Sequence, residues 1–359
     1  MRWTLLVTTA IMLGLGAAPA AAQSATSARR WQVEAVGGLS LFELPKDGTA
    51  TLPPAGPPLT TSGPTNPSRQ VPTWFIGDGA MLLNGVNAEF GIAARITPLD
   101  SAISTLSLRG ANAPAVGLRL RRIMNDRLSI EFSADLMPGS RELSPELVAA
   151  VEQTRASFVS AFNGLLTSGP FTKTGVNASA TTSNGSSRDL ATTLAAQWRF
   201  KAGQFEPYLT LGGGLVHNVG SSPSVTLFGQ YHFYIADTVP ISESDSLRLR
   251  YEQGTALVGV VGGGFRRALS ERLGVSVDAR VLLGKQTLNL RLESTPAVVA
   301  AAPPGFIESF TTPAIQFSNN SSTGRASTLS GEALDGFKAF STSGLQTRYV
   351  VTAGIFLRF

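Results

Sequence analysis

Cysteine is absent from the 359-residue chain, and histidine occurs only twice, at His217 and His232. The first absence excludes disulfide frameworks and thiolate metal sites. The second leaves too few imidazoles for a histidine-rich metal centre. Charged residues make up 15% of the chain, well under the roughly one quarter of an ordinary soluble domain. The net charge of +5 is spread without any run of five or more basic residues, so the usual footprint of a nucleic-acid binder is missing. Beyond the N-terminal segment, no stretch approaches the roughly 18 consecutive apolar residues of a membrane-spanning helix. Yet 43% of the residues are hydrophobic, and mean hydropathy is positive. Such a chain must place its apolar side chains some other way, and alternating strands facing lipid provide one.

The front end reads as a targeting segment. Arg2 supplies a positive region, Leu5 to Gly16 a short apolar core, and Ala20-Ala21-Ala22 a small-residue cleavage site before Gln23. That core is shorter than the about 20 residues a spanning helix needs. The expectation is a signal peptide over 1–22 and a mature chain over 23–359, placed outside the cytoplasm.

What is present in quantity is alternation with a period of two. In QTRYVVTAGIFLRF, Tyr349, Val351, Ala353, Ile355, Leu357 and Phe359 share one face, while Arg348, Val350, Thr352, Gly354, Phe356 and Arg358 share the other. RLSIEFSADL, LATTLAAQWRF, RLGVSVDARVLLGK and WQVEAVGGLSLF repeat the pattern over about 10 residues each, the length of a tilted membrane strand. A buried sandwich would alternate too, but two features favour a barrel wall. The polar faces carry charges in mid-strand, and aromatics such as Trp31, Trp198, Phe200, Phe205, Phe265, Tyr349 and Phe359 mark strand ends, as interfacial girdles do.

Short polar turns at 124–127, 201–204 and 268–272 alternate with long segments at about 43–112, 139–186, 219–255 and 294–345. This rhythm gives an all-β chain, an eight-stranded antiparallel transmembrane β-barrel with long extracellular loops. Its strands fall near 31–42, 113–124, 127–138, 187–200, 204–218, 256–268, 272–290 and 346–359. A ten-stranded alternative adds 224–236 and 246–254, which read better as a hairpin beyond the membrane.

On the small-residue cleavage site, the turn and loop rhythm and the terminal strand, the chain resembles the OmpA/OmpX-like small outer-membrane β-barrel superfamily. The resemblance implies an outer-membrane location in a Gram-negative cell envelope. It also implies that Tyr349, Val351, Ile355, Leu357 and Phe359 form an address read by the barrel-assembly machinery. No peptidoglycan-binding domain is expected after the barrel.

An eight-stranded barrel is just wide enough for side chains to fill it. The inward-facing set holds Glu34, Arg119, Arg121, Glu131, Asp135, Arg199, Arg266, Asp278, Arg280, Arg348 and Arg358, with Gln197 and Glu206. Charges in a narrow lumen should pair: the tight turn at Asn125-Asp126 sets Arg119 nearly opposite Glu131, and closing the last strand on the first sets Arg358 facing Glu34. The glycines Gly259, Gly262, Gly263 and Gly264 sit within a strand with no helix after them, which removes the phosphate-loop reading. Curvature and room for bulky neighbours explain them better.

The second loop should hold a helix, with Ser144 as N-cap, Pro145 at its first position and Gly164 near its end. The first loop carries Trp74, Phe75, Met81, Leu82, Leu83 and Phe90, too apolar to dangle, so the loops should form a packed cap. His217 has Ser221 and Ser222 close by in sequence and His232 has Tyr231 and Asp237, but neither sits in the D-x-H pair or H-x-S element of a lipid-modifying barrel enzyme. Expected, then, is a non-enzymatic barrel with a structural or surface-binding role, without cofactor, metal or nucleic acid, in contact with outer-membrane lipid and lipopolysaccharide and open to an extracellular ligand. A narrow gated channel is the alternative, and a lipid-modifying enzyme the remoter one.

Overall fold

The computed structural model describes residues 30–45, 47–57, 69–110, 112–138, 141–200, 205–300, 315–317, 326–330 and 334–359. The targeting segment over 1–22 and the turn Lys201 to Gln204 lie outside the described residues. In chain order the elements are β1 (Trp31–Phe42), β2 (Thr49–Ala50), α1 (Gly77–Glu89), α2 (Asp100–Ile103), β3 (Leu108–Gly110), β4 (Ala113–Ile123) and β5 (Leu128–Pro138). They continue with β6 (Arg141–Leu143), α3 (Pro145–Ser168), β7 (Phe171–Ser183), β8 (Arg188–Arg199), β9 (Phe205–Val219), β10 (Ser224–Ile235) and β11 (Val239–Gln253). The last are β12 (Ala256–Ala268), β13 (Leu273–Ser294), β14 (Ala297–Ala300) and β15 (Phe337–Arg358).

Antiparallel pairing closes a ring through β1, β4, β5, β8, β9, β12, β13 and β15. The seam lies between β1 and β15, from Gln32 opposite Arg358 to Phe42 opposite Arg348. The alternation in the sequence becomes two surfaces. Leu39, Leu118, Phe132, Leu194, Leu211, Val277, Val351 and Ile355 point out and are exposed, whereas Glu34, Arg119, Arg121, Glu131, Arg266, Asp278 and Arg280 point in and are buried. This is the inverse of a water-soluble domain. Each large aliphatic side chain left in water forgoes about 1.5–3 kcal/mol, so the outer band is made for an apolar medium. Trp31, Trp198, Phe200, Phe205 and Phe359 ring the rim at the short turns, all exposed.

The ring does not stop where the sequence pattern suggested. β13 and β15 each run 22 residues and stay paired from Leu273 opposite Leu357 up to Leu292 opposite Phe337. Above the ring β13 exchanges its neighbour β12 for β11, which continues through β10 to β7. The segments 219–255 and 294–345, expected as loops, therefore contribute sheet, and β10–β11 form a hairpin outside the ring rather than two wall strands. The strand expected to begin near 346 begins at Phe337.

Helix α3 lies on β7 and β10 of this extension. The Ser144 hydroxyl accepts the Leu147 N–H at 3.2 Å and Pro145 starts the helix. The helix runs through Gly164 to Ser168 rather than ending near the glycine. Its apolar stripe, including Leu147, Val151, Phe158, Phe162 and Leu165, is buried against Val225, Leu227, Tyr231 and Phe233 of β10. Phe162 stacks on Tyr231 at 4.3 Å and meets Trp74 edge-on at 5.6 Å. Gly229 is required here, because a Cβ would lie 2.6 Å from the Phe158 ring. From the first loop, Trp74, Phe75 and Leu83 enter this core, while Met81 and Phe90 stay exposed.

Phe162→Ala should cost the cap about 3–5 kcal/mol. Hydrogen exchange should show lost protection in α3 and β10 with the ring amides unchanged; equal loss in the ring would contradict the separation of the two cores.

Candidate functional site

The lumen is filled in three levels. The lowest is a charge network. Glu131 on β5 sits opposite Arg121 on β4, and its carboxylate is reached by Arg121, by Arg280 at 2.6 Å, by the Gln197 amide at 2.8 Å and more loosely by Arg266 at 3.9 Å. Arg121 also donates to Glu34 at 3.0 Å and to Gln32 at 2.8 Å, and the Ser276 hydroxyl donates to Glu34. Asp278 takes Arg280 at 2.5 Å, Arg119 at 3.2 Å and the Tyr208 hydroxyl at 2.7 Å. Arg266 lies over the Tyr208 ring at 3.9 Å. With Asp135, four arginines face four carboxylates, all buried. A buried ion is tolerated only when its opposite charge and hydrogen bonds are supplied; Glu34, Glu131 and Asp278 receive both, whereas the Asp135 Oδ1 has no hydrogen-bond partner among the described residues. Gly117 leaves the room Asp135 occupies, since a Cβ would fall 2.1 Å from its Oδ1. Gly264 does the same for the Tyr208 hydroxyl.

Two pairings differ from the sequence expectation by one rung. Arg119 stands opposite Ser133 and bonds Asp278 and Thr352, not Glu131. Glu34 pairs with Arg121, and Arg358 pairs with Glu206 at 3.5 Å. Turn-based counting placed Arg119 two residues from its true rung. Arg199 and Arg358 point inward only at the lower rim, half-buried, and Arg199 donates to the Asn125 carbonyl instead of joining the network.

Above the charges comes an apolar belt: Ala115, Met137, Ala191, Val216, Ala256, Val258, Val260, Leu282 and Val350 pack together, all buried. At the mouth, Asp189 of β8 receives Arg348 of β15 and a fork from Arg141, at 2.9 and 3.0 Å. Both guanidiniums lie over the Phe42 ring, at 5.2 Å for Arg141 and 4.8 Å for Arg348. Arg141 belongs to β6, outside the ring, so a loop side chain completes the plug. Asp189 shares the parity of Ala191 and Thr193 and was legible as inward-facing; nothing in the sequence marked Arg141.

In the cap, Asp245 of β11 is fully buried and accepts the Trp74 N–H at 2.6 Å and the Thr73 hydroxyl at 2.9 Å, pinning the first loop to the sheet. Burial pushes its carboxyl up to about 7, against the opposing pull of those two donors. Two residues away, Glu243 takes the Tyr231 hydroxyl and the Ser327 hydroxyl. On the outer surface of the cap, three adjoining clefts of about 450, 600 and 480 Å³ meet at Arg109 and are walled by β3, β6, the start of α3 and the segment Phe42 to Leu44. Arg109 pairs with Glu142 across them at 2.6 Å.

His217 is exposed on β9 with its Nδ1 2.8 Å from the Thr255 hydroxyl, while Ser221 hydrogen-bonds to Ser186 instead. His232 lies against Gly175, on the opposite face of β10 from Tyr231. The groupings of histidine with serine or acid suggested by sequence proximity are therefore not assembled.

Two outcomes follow. Glu131→Ala leaves several arginines without their shared counter-charge and should lower ring stability by about 3–5 kcal/mol, read as a lower unfolding temperature in detergent by gel mobility. Asp245 has a raised folded-state pKa, so its contribution is complete below the ordinary carboxylate range near 4 and is lost as pH rises through about 7. Cap amide protection should therefore fall between those pH values in the native protein and stay level in Asp245→Asn; an unchanged slope in the variant would remove Asp245 as its source.

No protein-family model matches the chain, and no curated protein matches it. Among solved structures it is similar to the outer membrane protein OprG from Pseudomonas aeruginosa, with 10% identity over 92% of this chain and 97% of that one and a TM-score of 0.35. It is also similar to an outer membrane channel from Pseudomonas putida F1, with 12% identity, 92% and 100% coverage and a TM-score of 0.20. A Pseudomonas aeruginosa FadL homologue matches with 8% identity, 92% and 90% coverage and a TM-score of 0.15. Superpositions this loose carry no argument about function; the reading rests on the chain's own geometry.

Proposed function

We propose that this chain is an outer-membrane β-barrel of eight spanning strands, non-enzymatic, whose work is done by its cap rather than through its lumen. The observation that carries the reading is the distribution of burial. Apolar side chains are exposed around the outside of the ring, while charged network, apolar belt and mouth cluster occupy its inside. A permeation path would need open, hydrated space at every level, and this lumen is packed with buried side chains at three. The concave space lies on the cap instead, where the clefts around Arg109 fall within the roughly 300–1,000 Å³ typical of ligand sites. The role is structural or surface-binding. The OmpA/OmpX-like resemblance, with the assembly address at Tyr349, Val351, Ile355, Leu357 and Phe359, fits the same reading, because all five are exposed on the outer face of the seam strand.

The test is refolded full-length protein in planar bilayers, with heat-dependent gel mobility as the check on insertion. A heat-modifiable band and a flat current trace are expected. Discrete steps of conductance would overturn the sealed lumen in favour of a narrow gated channel, and a protein that stays in water without detergent would overturn the membrane reading itself.

A further inference from the structure

The lipid-facing side of β13 continues upward without a break in alternation. Val275, Val277 and Leu283 are exposed apolar residues, and the same face then carries Lys285, Thr287, Asn289 and Arg291. The ten residue-to-residue steps from Leu273 to Leu283 span about 34 Å along a strand, which at the usual tilt is about the 25 Å height of an apolar band. Lys285 thus stands at its upper edge. Its neighbour on β15 is Leu345, 70% exposed, and Leu257, 75% exposed, lies one residue beyond the last β12–β13 pair, Val258 opposite Gly284. A lysine with its stem among lipid-facing leucines carries its ammonium to the headgroup level.

Six residues higher, one rung of the sheet sets three cations side by side. Arg250 on β11 is opposite Arg291 on β13, which is opposite Lys338 on β15. Like charges directly opposite on neighbouring strands repel. Among the described residues Glu252 answers them, held by Arg250 at 2.9 Å and Arg291 at 2.5 Å. Lys338 and Lys285 make no ion pair or hydrogen bond among the described residues. A column of cations in excess of their counter-charges, continuous with the lipid-facing wall, fits an anionic group standing on that wall.

We infer that this face binds the phosphate-bearing headgroup of an outer-leaflet glycolipid, with Lys285 at the level of the lipid phosphates and the Arg250–Arg291–Lys338 rung over the anionic sugars above. The inference rests on the membrane reading and adds to it a lipid class and a side of the barrel.

The probe is native mass spectrometry of the full-length protein in neutral detergent, incubated with a phosphorylated lipid A glycolipid bearing its inner sugar core, or with the same glycolipid dephosphorylated. The wild type should retain the phosphorylated form, lose it at high salt, and hold the dephosphorylated form far less. The double variant Lys285→Gln with Lys338→Gln, which breaks no contact of the fold, should bind roughly 25-fold more weakly, about fivefold for each cation removed, with its heat-modifiable band intact. Equal retention of both glycolipids, an unchanged double variant, or displacement by millimolar inorganic phosphate would each overturn the inference while leaving the barrel standing. A wild-type protein without the heat-modifiable band would instead overturn the membrane reading beneath it.

Discussion

Neutralising charge inside a narrow ring is the constraint on which the rest of this structure depends. Once strand alternation turns every second side chain inward, arginines and carboxylates have nowhere else to go, and water is scarce there. Glu131 answers this by serving several partners at once, so that β4, β5, β8, β12 and β13 are tied through a single carboxylate. Asp278 does the same for β4, β9 and β13. The wall is held by its backbone ladders, but the shape of its interior is set by these shared anions. Inward glycines leave room for their neighbours, Gly117 for Asp135 and Gly264 for the Tyr208 hydroxyl.

The apolar belt above the network has a complementary effect. It separates two ionic clusters that would otherwise compete for partners, and its low polarity strengthens the attraction within each. The mouth cluster joins ring to loop, because Arg141 comes from outside the wall while Asp189 and Arg348 belong to it. Charge pairing and apolar packing are thus layered along the axis rather than mixed.

Much of the wall was legible because a period of two leaves a clear trace. The inward and outward sets of β1, β5, β8 and the lower half of β13 follow directly from counting. The capping of α3 by Ser144 and Pro145 was equally readable, since those residues act locally. What escaped was whatever depended on exact strand register or on partners far along the chain. Arg119 was assigned a partner one rung away because the turn at Asn125 does not state its own hydrogen-bond pattern. The upper half of β15 escaped for another reason: above the ring its outer face becomes polar, and Ser341 and Ser343 read as loop. Arg141 and Asp245 act only through partners far along the chain, which no local pattern announces.

Because β13 and β15 serve both the ring and the sheet above it, the order of assembly is constrained. β1 waits for β15 across more than three hundred residues before the seam can close. The cap sheet lacks the strand beside β13 until that same segment arrives. Pairings so remote in sequence are slow to form, since chain closure must precede any compensating contact. The cap is therefore no independently maturing module riding on a finished cylinder: a single late segment completes both bodies together.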